Sequence, residues 1–159
     1  GFVLGMMMAI DNGGPINKTA YVFSIGMLIS YDYYPMAAVM AGGMIPPFVI
    51  ALTATLFKDR FEVRKDALMN YINGISFISE GAIPFIQKES QIILPACCLS
   101  AGLAGALSMY FNCSIASPHG GLFLIWMVQN PISYLSLIVC STLVGTILLI
   151  LFTKLKKES

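Results

Sequence analysis

Glu80 is a carboxylate in a run bracketed by glycine and proline, with apolar residues on both sides, Gly74-Ile-Ser-Phe-Ile-Ser-Glu-Gly-Ala-Ile-Pro-Phe85. An ionised carboxylate at the centre of a bilayer costs roughly 3 kcal/mol on insertion scales, so such a group ordinarily lines a pathway, a polar pocket or a partner. Between Ser79 and Gly81 its side chain is expected to project from a hairpin tip where backbone can approach a ligand closely. A carboxylate so placed accepts two hydroxyl hydrogen bonds at once, the pattern that adjacent sugar hydroxyls offer. It can also take the proton of an attacking hydroxyl. The structural alternative is a cap, or an internal ion pair with Lys18 or Lys88.

His119, the only histidine, sits in Pro118-His-Gly-Gly121 between apolar segments. A neutral imidazole donates and accepts, so it can bind a sugar hydroxyl or relay its proton; satisfaction by a backbone carbonyl is the other reading. Asp11, Asn12, Asn17 and Lys18 form a third polar cluster around Gly13, Gly14 and Pro15. For Asn17, ligand contact and hydrogen-bonding service to a broken helix stand side by side. Cys97, Cys98, Cys113 and Cys140 lack the spacings of metal or redox motifs and read as buried small hydrophobes. Met6, Met7 and Met8 read as plastic packing, since no thiolate or histidine accompanies them. No metal site is expected.

The elements that position these groups belong in a membrane. The chain is 57% hydrophobic and 11% charged, with mean hydropathy +0.80, whereas soluble domains carry about 25% charged residues. No Asp, Glu, Lys or Arg occurs from Ser90 to Thr153, room for more than two crossings at about 20 residues each. The net charge of +1 is gathered in short loops, which offers nucleic acid no basic face and leaves the lipid bilayer as the partner that composition demands. No alternation suggests a β-barrel. The expected fold class is an all-α integral membrane protein, with transmembrane helices, broken helices and re-entrant hairpins.

Gly13, Gly14 and Pro15 should break the first apolar segment. Pro35 to Phe57 should cross, with Gly42-Gly43 and Pro46-Pro47 as a kink. The loop 58–66 carries four basic and three acidic residues; the positive-inside rule makes it and the tail Lys154-Leu-Lys-Lys157 cytoplasmic. Between two cytoplasmic landmarks the number of crossings is even. Ile92 to Phe111 and Tyr134 to Phe152 are the best two, and the pieces near 74–88 and 114–123 then become re-entrant hairpins facing an interior site. The small residues Ala101-Gly-Leu-Ala-Gly-Ala106 suit close helix packing. The chain opens on Gly1 inside an apolar run without a basic n-region or cleavage site, so it is expected to be a piece of a longer chain.

With these clusters in view, the chain resembles the C-terminal half of enzyme IIC, the membrane permease domain of the fructose-type permeases of the bacterial phosphoenolpyruvate-dependent sugar phosphotransferase system. The matching stretches are Asp11-Asn-Gly-Gly-Pro-Ile-Asn-Lys-Thr-Ala-Tyr21, Met36-Ala-Ala-Val-Met-Ala-Gly-Gly-Met-Ile-Pro-Pro47, the Gly74 to Phe85 run and Ala116-Ser-Pro-His-Gly-Gly-Leu-Phe123, in family order. Asn12 departs from the apolar residue expected at its position. The resemblance implies that 1–159 is the C-terminal part of one IIC-like transport domain of a multi-pass protein in the bacterial cytoplasmic (inner) membrane. It implies a hexose, fructose first, bound within the membrane and phosphorylated by a phosphocysteine on an enzyme IIB domain or subunit, so that uptake is trapped. Glu80 and His119 would then be catalytic, Glu80 binding and deprotonating the reacting hydroxyl. The binding site would comprise Glu80, His119, Asn17, Lys18 and Asp11. The phosphate would arrive from IIB with no further cofactor, the intact component would be a homodimer, and none of the four cysteines resembles the phosphorylated one. The competing reading is a proton-coupled secondary transporter of a small polar solute, driven by protonation of Glu80.

Overall fold

In the computed structural model, residues 1–57, 61 and 64–158 are described, so most of the charged loop 58–66 lies outside them. Helices are the only regular structure among the described residues, as expected for an all-α membrane protein. Three are long and apolar enough to cross a bilayer: α3 (Tyr34–Leu56), α6 (Ser90–Tyr110) and α7 (Pro131–Glu158). α3 is almost wholly buried within the bundle, whereas the larger part of the apolar stretch of α7 is not. The first is therefore the axis of the bundle, and the second shows one face outward. Among the outward residues of α7 are Val139, Leu143 and Ile147. Cys140 shares that exposure, unlike the buried Cys97 and Cys113 and the half-buried Cys98; the expectation of burial fails for it because its helix lies at the edge. Burial pushes the Cys113 thiol, in the segment after α6, up to about 11.

The axial helix α3 continues through Pro46-Pro47 without a break. The carbonyls these prolines leave unbonded belong to the residues four positions earlier, Gly42 and Gly43, whose backbone adapts most easily.

Hydrogen bonds show which helix ends lie together. The Ile115 N–H donates to the Tyr33 carbonyl at 3.3 Å, and Asn130 Nδ2 to the Phe111 carbonyl at 3.0 Å. The start of α3, the end of α6 and the start of α7 thus share one end, which carries Tyr31, Tyr33, Tyr34, Tyr110 and Phe111. Such aromatics are typical of a membrane–water interface. At the opposite end Arg64 Nε donates to the Ala54 carbonyl at 3.1 Å, joining the end of α3 to the start of α4 (Arg64–Ile75). Arg64, Lys65, Lys88, Lys154 and Lys156 all lie at that charged end.

Between the crossings, three hairpins run only part of the depth. In the first, α1 (Phe2–Ile10) descends from the aromatic end antiparallel to α6, with Gly1 beside Gly105 and Gly5 beside Ala101 and Gly42. A Cβ on Gly5 would overlap the Ala101 carbonyl oxygen, so the small-residue stripe of α6 is what admits α1. The 11–14 break then sends α2 (Pro15–Ile29) back toward the aromatic end, where α3 begins. In the second, α4 climbs from the charged end along α3: the Tyr71 and Thr55 hydroxyls meet at 2.9 Å, Gly74 packs under Phe48, and Phe77 packs on Gly43. A 3₁₀ turn, Ser79–Ala82, and α5 (Ile83–Lys88) lead back to the charged end. Its tip stands about 16 Å up α3 at 1.5 Å per residue, roughly half a hydrocarbon thickness. The third hairpin starts at the aromatic end, where its neck is closed by Ser114 Oγ donating to Gln129 Oε1 at 2.8 Å. It dips to His119-Gly120-Gly121 and returns through the 3₁₀ segment Gly121–Met127.

Candidate functional site

The three tips meet. Gly121, at φ 56°, lies so close to the second hairpin that a Cβ there would overlap the Ile75 carbonyl oxygen and come within 2.9 Å of the Phe77 nitrogen. Gly13, at φ 98°, faces Glu80, and a Cβ there would lie 2.7 Å from Glu80 Oε1. Both positions require the left-handed backbone that glycine accepts without penalty. Irregular backbone from three segments is thereby gathered around one polar space, where lipid need not satisfy it.

The break between α1 and α2 is closed by its own polar side chains. Pro15 has no N–H, and the next two free N–H groups of α2, on Ile16 and Asn17, donate to Asp11 Oδ2 at 2.7 Å and Oδ1 at 2.9 Å. On the α1 side the Ala9 carbonyl accepts Asn12 Nδ2 and the Met8 carbonyl accepts Asn17 Nδ2, each at 2.7 Å. Four peptide groups that a helix end leaves open are thus satisfied inside the protein. Asn12 takes φ 37°, a left-handed conformation that asparagine tolerates better than an apolar residue.

The resulting cleft has a volume of about 500 Å³, and Asn17, Lys18, Tyr21, Phe77, Glu80 and His119 are among its lining residues. Glu80, Lys18 and His119 are exposed to it, whereas Asn17 is buried in its wall. Neither the Glu80 carboxylate nor the Lys18 ammonium has an ion-pair or hydrogen-bond partner among the described residues. The His119 ring has no hydrogen bond there either; it stands edge-on to Phe77 with ring centroids 5.4 Å apart. The Pro118 carbonyl beside it accepts the Tyr21 hydroxyl at 2.8 Å. An acceptor-only carboxylate, a cation with three donors and an imidazole that can donate or accept thus line one space. That set matches a small polyhydroxy ligand.

Of the residues singled out in sequence, Glu80, His119, Asn17 and Lys18 line this cleft together, and Asp11 does not. Both Asp11 oxygens are engaged in holding the start of α2, so Asp11 bears on the cleft through Asn17. The amide of Asn17 bonds α1 through its nitrogen, and its oxygen has no partner among the described residues, so the two readings of this residue are compatible. Tyr21 and Phe77 line the cleft as well, without having stood out as polar clusters in the sequence. Tyr21 was within reach, being one helical turn beyond Asn17 and Lys18 on the same face. Phe77 carried no such signal.

Similar proteins tell a consistent story. A "PTS system fructose-specific EIIB'BC component" of Vibrio cholerae is 45% identical over 148 residues, 92% of this chain and 25% of the relative. The "Fructose permease IIC component" of Bacillus amyloliquefaciens is 41% identical over 160 residues, 99% of this chain and 52% of the relative. The "PTS system fructose-specific EIIC component" of Haloferax volcanii is 37% identical over 150 residues, 93% of this chain and 40% of the relative. The chain therefore spans about half of the Bacillus protein and about a quarter of the Vibrio one. No protein-family model matches the chain. No solved structure matches it. Since one segment matches both free IIC components and larger components that carry B parts, the shared region is the IIC part. Over more than nine tenths of its length, this chain is homologous to the IIC part of components named as fructose-specific in phosphotransferase systems.

Proposed function

We propose that the cleft binds a hexose, fructose first, and presents it for phosphorylation during uptake, as part of a complete IIC component. The observation that carries this reading is the convergence of Glu80 and Lys18, neither with a partner among the described residues, with His119 and Asn17 in one cleft. Its volume of about 500 Å³ falls within the ordinary range for small-ligand sites. Glu80 accepts hydrogen bonds from sugar hydroxyls, and Lys18 and His119 donate to others.

In the transfer step the reacting hydroxyl gives its proton to the Glu80 carboxylate as its oxygen bonds to phosphorus. The phosphorus–sulfur bond of a phosphocysteine on a IIB domain breaks, and the cysteine leaves as thiolate. A hydroxyl is a poor nucleophile until a base is placed beside it, which is the role given to Glu80. Lys18 offsets charge on the phosphoryl group in transit. The names of fused relatives, which carry B parts beside the C part, support a IIB partner. The charged end is placed in the cytoplasm of a bacterium, the aromatic end faces out, and the complete component is a homodimer.

The test is sugar phosphorylation by membrane vesicles that contain the complete component and are supplied with phosphorylated IIB. Glu80→Gln is expected to abolish phosphorylation while leaving membrane insertion intact; unchanged phosphorylation would remove Glu80 from the reaction.

A further inference from the structure

Phe77 ends α4 in a conformation that suits glycine. The Ile78 N–H donates to the Asn73 carbonyl at 2.8 Å and the Phe77 N–H to the Gly74 carbonyl at 3.2 Å, the paired bonds of a Schellman helix end. Phe77, at φ 60°, holds the place where glycine is the usual residue. Two other helices end in this way. Asn112 follows α6 at φ 52° and is of a type that tolerates it; Tyr31 follows α2 at φ 62°. Tyr31 is 82% exposed, whereas Phe77 is only 8% exposed.

The difference lies in what the Phe77 ring touches. Its edge lies on Gly43, where a Cβ would overlap it. It meets the Tyr21 ring at 6.3 Å and the His119 imidazole edge-on at 5.4 Å. Since the imidazole makes no hydrogen bond among the described residues, this aromatic contact is what fixes its attitude over the cleft. Glycine at 77 would relax the backbone and remove the contact.

The geometry points to Phe77 as a positioning residue, whose ring, braced on α3, holds the His119 imidazole toward the bound sugar. This rests on the reading of the cleft as a sugar site. Edge-to-face aromatic pairs have a defined geometry that aliphatic side chains cannot reproduce.

The test is fructose affinity of the complete component in detergent, measured for Phe77→Leu and Phe77→Met, each alone and combined with His119→Ala. Glu80→Gln monitors the sugar site, and thermal unfolding identifies any variant that has lost its fold. The expected result is roughly two- to tenfold weaker binding for each aliphatic variant, the range of an edge-to-face pair, and little further loss once His119 is alanine. Tyr31→Leu, at the same backbone conformation but far from the cleft, is expected to bind as wild type. Wild-type affinity in a folded aliphatic variant, or an equal loss with and without His119, would overturn the inference. If Glu80→Gln also binds as wild type, the sugar site itself is refuted; if Glu80→Gln loses binding and the aliphatic variants do not, only the role of Phe77 falls.

Discussion

Asp11 shows how one carboxylate can serve a site without facing it. Its two oxygens take the N–H groups of Ile16 and Asn17, a cap supplied from outside the helix because the residue at the cap itself is Gly14. Loss of such a cap costs about 0.5–2 kcal/mol. Asp11→Ala is therefore expected to lower stability by that order, read by thermal unfolding of the complete component, and Asp11→Asn to recover part of it through its amide oxygen. Equal stability of all three would contradict the cap. An aspartate a few residues before Gly-Pro reads the same in sequence whether it caps or binds, so its place outside the cleft could not be read there. The polarity of Glu80, His119, Asn17 and Lys18 could. Phe77 lies at the other extreme: a bulky residue at φ 60° carries a strain of about 1–3 kcal/mol, and nothing in its neighbours announces it.

Among the elements, the breaks were legible because glycine and proline announce them, and α3, α6 and α7 because long uncharged runs do. The course of α1 and α2 was not. At 15 residues α2 is too short to cross alone, and its length does not say whether it completes a crossing or turns back. Packing decides, since Gly5 fits between Gly42 and Ala101. Contact between hairpin tips that approach from opposite ends was equally hidden, because no periodicity links residue 75 to residue 121. Gly121→Ala tests that contact: a Cβ would strike backbone and meet a φ of 56°, with little room for relief. We expect fructose phosphorylation to fall at least roughly tenfold, the consequence of shifting site groups by about 1 Å, in protein that still inserts. Unaltered phosphorylation would show the tips to be independent.

For the whole molecule, the segregation of Arg64, Lys65, Lys88, Lys154 and Lys156 from the aromatic end predicts orientation through the positive-inside rule. In a background without native cysteines, Lys65→Cys should react with an impermeant thiol reagent only from the cytoplasm and Tyr31→Cys only from outside. The reverse pattern would invert the topology. Polar groups from three hairpins come together at one cleft only in the folded bundle, so sugar binding there depends on the intact fold. The most direct measurement is the fructose isotherm of the intact component and its Glu80→Gln and His119→Ala variants. With unfolding temperatures unchanged, Glu80→Gln is expected to bind at least roughly tenfold more weakly, as for a lost charge-assisted hydrogen bond, and His119→Ala to lose less. Wild-type affinity in both variants would rule out sugar binding at this cleft.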